Sequence, residues 1–249
     1  MRTKRFFFSL TFLLFFQSHH IAFSTNKYAP KKESSIKQYY QQLLLNNKNL
    51  KLPSQSAFEV AMTGYLYLKE NAQLNEGKQL LSIIDFSKKS SEKRFWLIDL
   101  KQLKVLYHSL VAHGRNTGID VAKYFSNTPS SYRSSLGFYT TGATYFGKHG
   151  LSLYLHGQDR GFNDKAKERA IVMHGADYVS EKFVETYGRL GRSLGCPALP
   201  MSNYKEIINT IKDGTCLFIY YPSQDYLKKS TVLTTANQNK DTYLTKAYE

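Results

Sequence analysis

The sequence predicts a mainly β fold with short helices, an α+β class, preceded by a helical N-terminal segment. Three observations carry that expectation. Apolar residues recur at helical intervals in residues 35–47 and again after Pro53. From residue 94 the character changes to runs rich in aromatic and β-branched residues. Those runs are short and bounded by Gly- and Lys-rich turns, as in a sheet built from successive hairpins.

The chain opens with MRTKR, then FFFSLTFLLFF, then QSHHIAFS. A basic start, a short apolar core and small residues at Ala22 and Ser24 form a secretory signal pattern, residues 1–24, with cleavage expected after Ser24. The apolar run falls short of the ~20 residues that span a bilayer. An uncleaved N-terminal anchor is the alternative. Either way the folded part is expected in the periplasm or outside the cell, with no membrane span in the mature chain.

Net charge is +15 and 19 tyrosines accompany it. Such a surface suits an anionic partner. Export argues against nucleic acid, so a cell-envelope polymer fits better. Much of the charge also reads as a solvated Lys-rich face. Hydrophobic content of 42% supports a real core.

Residues 25–93 form the expected helical segment: SIKQYYQQLLLNN at 35–47, then a helix placing Phe58, Met62, Tyr65 and Leu66 on one face. Residues 94–222 form the expected catalytic unit. RFWLIDL (94–100) and VLYHSLVAHG (105–114) read as one hairpin, GFYTTGATYFG (137–147) and LSLYLHG (151–157) as a second. AIVMHG is a further strand. VSEKFVETYG reads as a helix stopped by Gly188. SNYKEIINTIKDG (202–214) is a clearer helix, with Glu206 three residues after Asn203 as a cap signal. TCLFIYY closes the sheet. Residues 223–249 are polar and without period, and are expected to be a loose tail.

Four histidines precede glycine: His113, His149, His156 and His174. No HExxH, zinc-finger spacing or P-loop occurs, so neither a metal nor a cofactor is expected. No GxSxG signals a serine hydrolase. That leaves thiol chemistry. The two cysteines are Cys196, in the glycine-rich loop GRLGRSLGCP, and Cys216, in an apolar strand-like run. One loop and one buried cysteine make an awkward disulfide. A thiol needs a base or a positive surrounding to become thiolate. His174 ends the apolar run AIVM, and Arg189 and Arg192 lie within seven residues of Cys196. The arginines are placed to lower the thiol pKa or to grip a substrate carboxylate. Gly191 and Gly195 let the backbone approach a reacting carbonyl, so that N–H groups at Cys196 stabilise an oxyanion. His156 also ends a strand and is the closest rival base. With Tyr139 and the two arginines, it is assigned to substrate binding.

HGADYVS followed by GRLGRSLGCPALP resembles the murein L,D-transpeptidase catalytic domain of the YkuD-like type. VAHGRNTG, FSN, SSLGFYTTGATYFGKHGLSL and RAIVMHG match in order, so the resemblance runs from Phe95 to Tyr221. It implies a β-sandwich with short helices, with Cys196 as nucleophile, His174 as base and the Gly175 carbonyl as third contributor. Ser193 matches the serine of the Ser-x-Gly-Cys signature. Leu194 stands where the widespread form has a second histidine, and the interval from His174 to Cys196 is longer. The implied chemistry is acyl transfer on peptidoglycan tetrapeptide stems. A thioester forms at Cys196 with loss of D-Ala, then an amine resolves it into a 3–3 cross-link or water hydrolyses it. The alternative from another class is a non-catalytic envelope-binding protein on the same fold.

Overall fold

The computed structural model describes residues 35–238. The expected signal peptide, residues 1–24, lies outside them, as do residues 239–249 of the expected tail. Six helices and eight strands follow in the order α1 (Ser35–Asn46), α2 (Gln55–Glu70), β1 (Leu80–Asp85), β2 (Phe95–Asp99), β3 (Lys104–Ser109), β4 (Gly137–Gly147), β5 (Gly150–Gly157), β6 (Val172–Ala176), α3 (Glu181–Tyr187), β7 (Ala198–Pro200), α4 (Tyr204–Ile211), β8 (Cys216–Tyr220), α5 (Gln224–Lys229) and α6 (Thr231–Gln238). The class is mixed α+β, mainly β.

All eight strands hydrogen-bond into one sheet, ordered β3-β2-β1-β8-β4-β5-β6-β7. The sandwich implied by resemblance is therefore one continuous ladder. β1 with β8 and β6 with β7 are parallel; the other neighbours are antiparallel.

Central strands are buried along their length, as β1 and β8 show with Leu81, Ile83, Ile84, Leu217, Phe218 and Ile219. α2 packs on them through Phe58, Ala61, Met62, Tyr65 and Leu68. Gly64 permits this approach: a Cβ there would sit 2.1 Å from the Phe138 ring. Ser54 caps the helix by accepting from the Ala57 N–H. Phe138 in turn stacks on Phe218 at 4.2 Å.

Three expectations need correction. A division at residue 93 cuts through the sheet, because β1, which the sequence reading passed over, is one of its inner strands. LLSIID is a short apolar run without alternation, the pattern of a strand covered on both faces. The segment from 223 to 238 is not a loose tail but two docked helices. Tyr226, Val232, Leu233 and Ala236 are buried, and the Asp159 carboxylate accepts from Tyr226 Oη at 2.8 Å and Ser230 Oγ at 2.5 Å. Finally, Asn203 does not cap α4 with its side chain, which donates to Ser109 Oγ instead. By contrast, α3 ends as expected at Gly188, which adopts φ +70°.

Candidate active site

Two parallel strands build the site. β6 carries His174, and β7 leaves the glycine-rich loop directly after Cys196-Pro197. In the ladder His174 faces Ala198, two residues past Cys196. Strand pairing thus fixes the histidine beside the end of the cysteine loop, although 22 positions separate them in sequence.

The loop is held from several sides. Ser193 N–H donates to the His113 carbonyl at 3.0 Å. Ser193 Oγ accepts from Gly195 N–H at 3.0 Å and donates to the Cys196 carbonyl at 2.6 Å. Gly195 sits at φ +129°, where a Cβ would meet the Arg133 carbonyl at 2.9 Å. A side chain is excluded there both by conformation and by space.

Cys196 and His174 line one cleft of about 430 Å³. Its walls are Tyr145, Lys148 and His149 from the β4–β5 hairpin, Arg169 to Val172 leading into β6, Tyr178, and Arg192 to Leu194 of the cysteine loop. Both cysteines are free, Cys216 being buried in β8 and Cys196 partly exposed. Among the described residues, no Asp or Glu lines this cleft.

His174 is 2% exposed and its Nδ1 lies 2.9 Å from the Gly175 carbonyl. A carbonyl only accepts, so the neutral ring carries its proton on Nδ1 and leaves Nε2 as the basic atom. The His149 ring stacks on it at 4.3 Å. Burial pushes the His174 pKa below 6.5, and the neighbouring His149 and Lys148 act in the same direction. Burial pushes the Cys196 thiol up, opposed by the Val172 N–H, Arg169 and Lys148. Burial thus favours the uncharged form of both groups.

The thiol rests against the entry to β6. Val172 N–H points at Sγ at 3.5 Å, and Sγ donates to the Ala170 carbonyl at 3.7 Å. Its hydrogen-bond partners are these backbone groups, not His174. Ala170 holds φ +50°, unusual for a residue with a side chain.

The other sequence candidates separate. Arg192 lines the cleft and donates to the Arg115 and Gly118 carbonyls. Arg189 lies off it and bonds the Leu190 carbonyl. His156 projects into a neighbouring cavity with Tyr154 and Lys167. Tyr139 is fully buried in β4, its hydroxyl donating to the Ser135 carbonyl, so substrate cannot reach it. His113 is buried as well, its Nδ1 accepting from Arg94 at 2.7 Å. Burial and the Arg94 charge push its pKa down to about 3. Sequence reasoning missed Arg169 and Lys148, and it named His149 only as one of four histidines before glycine, without its stack on His174. Among the described residues, no group of three or more His, Cys, Asp or Glu is placed to hold a metal ion.

The fold and cleft define a mixed α+β protein with a histidine on one strand and a cysteine in the loop that leads into the adjacent strand. A family model for the L,D-transpeptidase catalytic domain (YkuD_2) matches residues 49–220, and the chain belongs to that family. No curated protein matches. Among solved structures, an L,D-transpeptidase from Mycobacterium smegmatis is similar at 13% identity and TM-score 0.35, over 57% of this chain and 59% of that one. This chain therefore spans less than two thirds of that protein. The helical cell shape determining protein Pgp2 from Campylobacter jejuni gives 12% identity and TM-score 0.41, over 72% and 63%. An L,D-transpeptidase from Xylanimonas cellulosilytica gives 12% and 0.34, over 75% and 94%.

Proposed function

We propose that this chain is an exported L,D-transpeptidase that uses Cys196 as its nucleophile and His174 as its base. The observation that carries the reading is the shared cleft: a partly exposed thiol and a buried imidazole line the same walls. The basic N-terminal leader pattern supports export.

In this reading the stem peptide enters with the carbonyl of its third residue, a diamino acid, next to Sγ. The thiol swings from the Ala170 carbonyl toward His174, a rearrangement within the cleft of the kind substrate binding brings about. Nε2 takes the thiol proton as sulfur attacks, and Nδ1–H stays on the Gly175 carbonyl, which steadies the imidazolium. The tetrahedral oxyanion is met by the backbone N–H of Cys196, since that of Gly195 is held by Ser193 Oγ. Collapse breaks the bond to D-Ala, whose amine leaves with the proton from His174. A thioester remains. The amine of a second stem gives a 3–3 cross-link; water gives a tripeptide.

Mass analysis of muropeptides after incubation with the purified protein tests this. The expected products are free D-Ala with 3–3 dimers or tripeptides, all absent with Cys196→Ala. Unchanged tetrapeptide stems would overturn the assignment.

A further inference from the structure

Resting on the reading of Cys196 as nucleophile, we infer that Arg169 is the residue whose charge holds the Cys196 thiolate, a positioning residue acting through the sulfur. The role expected of Arg189 or Arg192 thus falls to a residue in a different part of the chain.

Arg169 and Cys196 line the same cleft. Its guanidinium is locked in place by the loop behind the cysteine. Nη1 donates to the Ser126 carbonyl at 2.7 Å and to Ser135 Oγ; Nη2 donates to the Arg133 carbonyl at 2.5 Å and to Ser131 Oγ at 3.3 Å. Nη2 also lies 3.5 Å from where a Cβ on Gly195 would sit, one residue before Cys196. Every acceptor is neutral. The ion pairs among the described residues join other side chains. Among the described residues the charge is therefore fixed in geometry and has no carboxylate partner, and a half-buried cation of that kind attracts an anion more strongly than a solvated one.

The backbone following it completes the arrangement. Ala170, in the left-handed region, turns the chain so that its own carbonyl and the Val172 N–H meet Sγ. Strain of this kind persists where surrounding contacts enforce it, and it gathers at functional sites. The one segment 169–172 thus supplies a cation, an acceptor for the S–H and a donor for the S⁻.

Other groups line the same cleft. Lys148 and His149 come from the β4–β5 turn, His174 from β6, Tyr145 from β4, Tyr178 from beyond β6 and Arg192 from the cysteine's own loop. Lys148 is exposed at a hairpin tip, where water screens it.

Alkylation of Cys196 with two probes, neutral iodoacetamide and anionic iodoacetate, reads the field directly. In the wild type, the iodoacetate-to-iodoacetamide rate ratio is expected to exceed that of a neutral cysteine peptide several-fold. Arg169→Met should bring the ratio toward the peptide value. It should also move the thiol titration upward, cutting the iodoacetamide rate near neutral pH by about three- to tenfold, since each unit of pKa is tenfold in thiolate. Arg169→Lys should retain most of the ratio. A folded Arg169→Met protein with the wild-type ratio and pH profile would overturn the inference. Should that variant not fold, Lys148→Met decides. The ratio then stays above the peptide value if Arg169 is the source, and falls to it if Lys148 is. Neither readout needs turnover, so a protein that reacts in this way but releases no D-Ala would refute the proposed function alone.

Discussion

His174 and Ala198 are ladder partners across the parallel strands β6 and β7. That single register ties His174, the proposed base, to the strand emerging from the loop of Cys196, the proposed nucleophile. The proximity of Cys196 and His174 is therefore a property of the sheet and not of two flexible loops. A general base typically contributes about 10²–10⁴-fold in rate. His174→Gln is expected to lower kcat by that order with folding intact, while His156→Gln, whose ring faces another cavity, leaves kcat near wild type. Burial pushes the His174 pKa below 6.5. The acid limb of kcat/KM should accordingly lie below pH 6.5, and a steady-state pH profile checks it.

Gly195 is expected to tolerate no side chain. At φ +129°, Gly195→Ala meets both a conformational cost and the Arg133 carbonyl. Such strain costs on the order of 1–3 kcal/mol. The loop relieves it by shifting, which moves Cys196 relative to His174. Turnover should fall by more than tenfold while the far-ultraviolet circular dichroism spectrum is preserved.

Asp159 anchors the C-terminal helices. Its two oxygens accept from Phe138 N–H, Tyr226 Oη, Ser230 Oγ and Val232 N–H, and the group is fully buried. Asp159→Ala strands four donors without water, for a loss of about 3–5 kcal/mol. Urea unfolding measures the loss, and limited proteolysis should find new cleavage between residues 222 and 238.

His113 makes stability depend on pH. Its folded pKa is pushed down to about 3, below the ordinary 6.5. Below pH 6.5 the unfolded chain therefore binds a proton that the folded ring refuses. Stability present at neutral pH is lost as pH falls through that window, by up to about 1.4 kcal/mol per pH unit. His174 contributes with the same sign. Between pH 7 and pH 5, urea midpoints of the wild type should drop. His113→Gln should be less stable at pH 7 but show a flatter slope.

The strands that face turns or solvent on one side were legible in the sequence. β4 and β5 begin and end almost where the aromatic runs do, and Gly188 stops α3 as its residue type demands. Where both faces are covered, alternation vanishes. LLSIID in β1 also lacks the aromatic residues that mark β2 and β8, and Tyr139 reads as a substrate contact although the first five residues of β4 are all buried. Cys196 and His174 stood out because each ends or follows a distinct pattern, a glycine-rich loop and an apolar run. Arg169 did not, since an arginine in a polar turn reads as a solvated charge until the loop at 126–135 folds over it. The docking of α5 and α6 rests on Asp159, some 70 positions earlier, a contact that no local pattern announces.

The central claim is that Cys196 carries the acyl group. Intact-mass spectrometry after acid quench of the purified protein with a peptidoglycan tetrapeptide stem tests it most directly. The account predicts one adduct with the mass of the stem less D-Ala, located on Cys196 and absent from Cys196→Ala. Release of D-Ala at the wild-type rate by Cys196→Ala would contradict it.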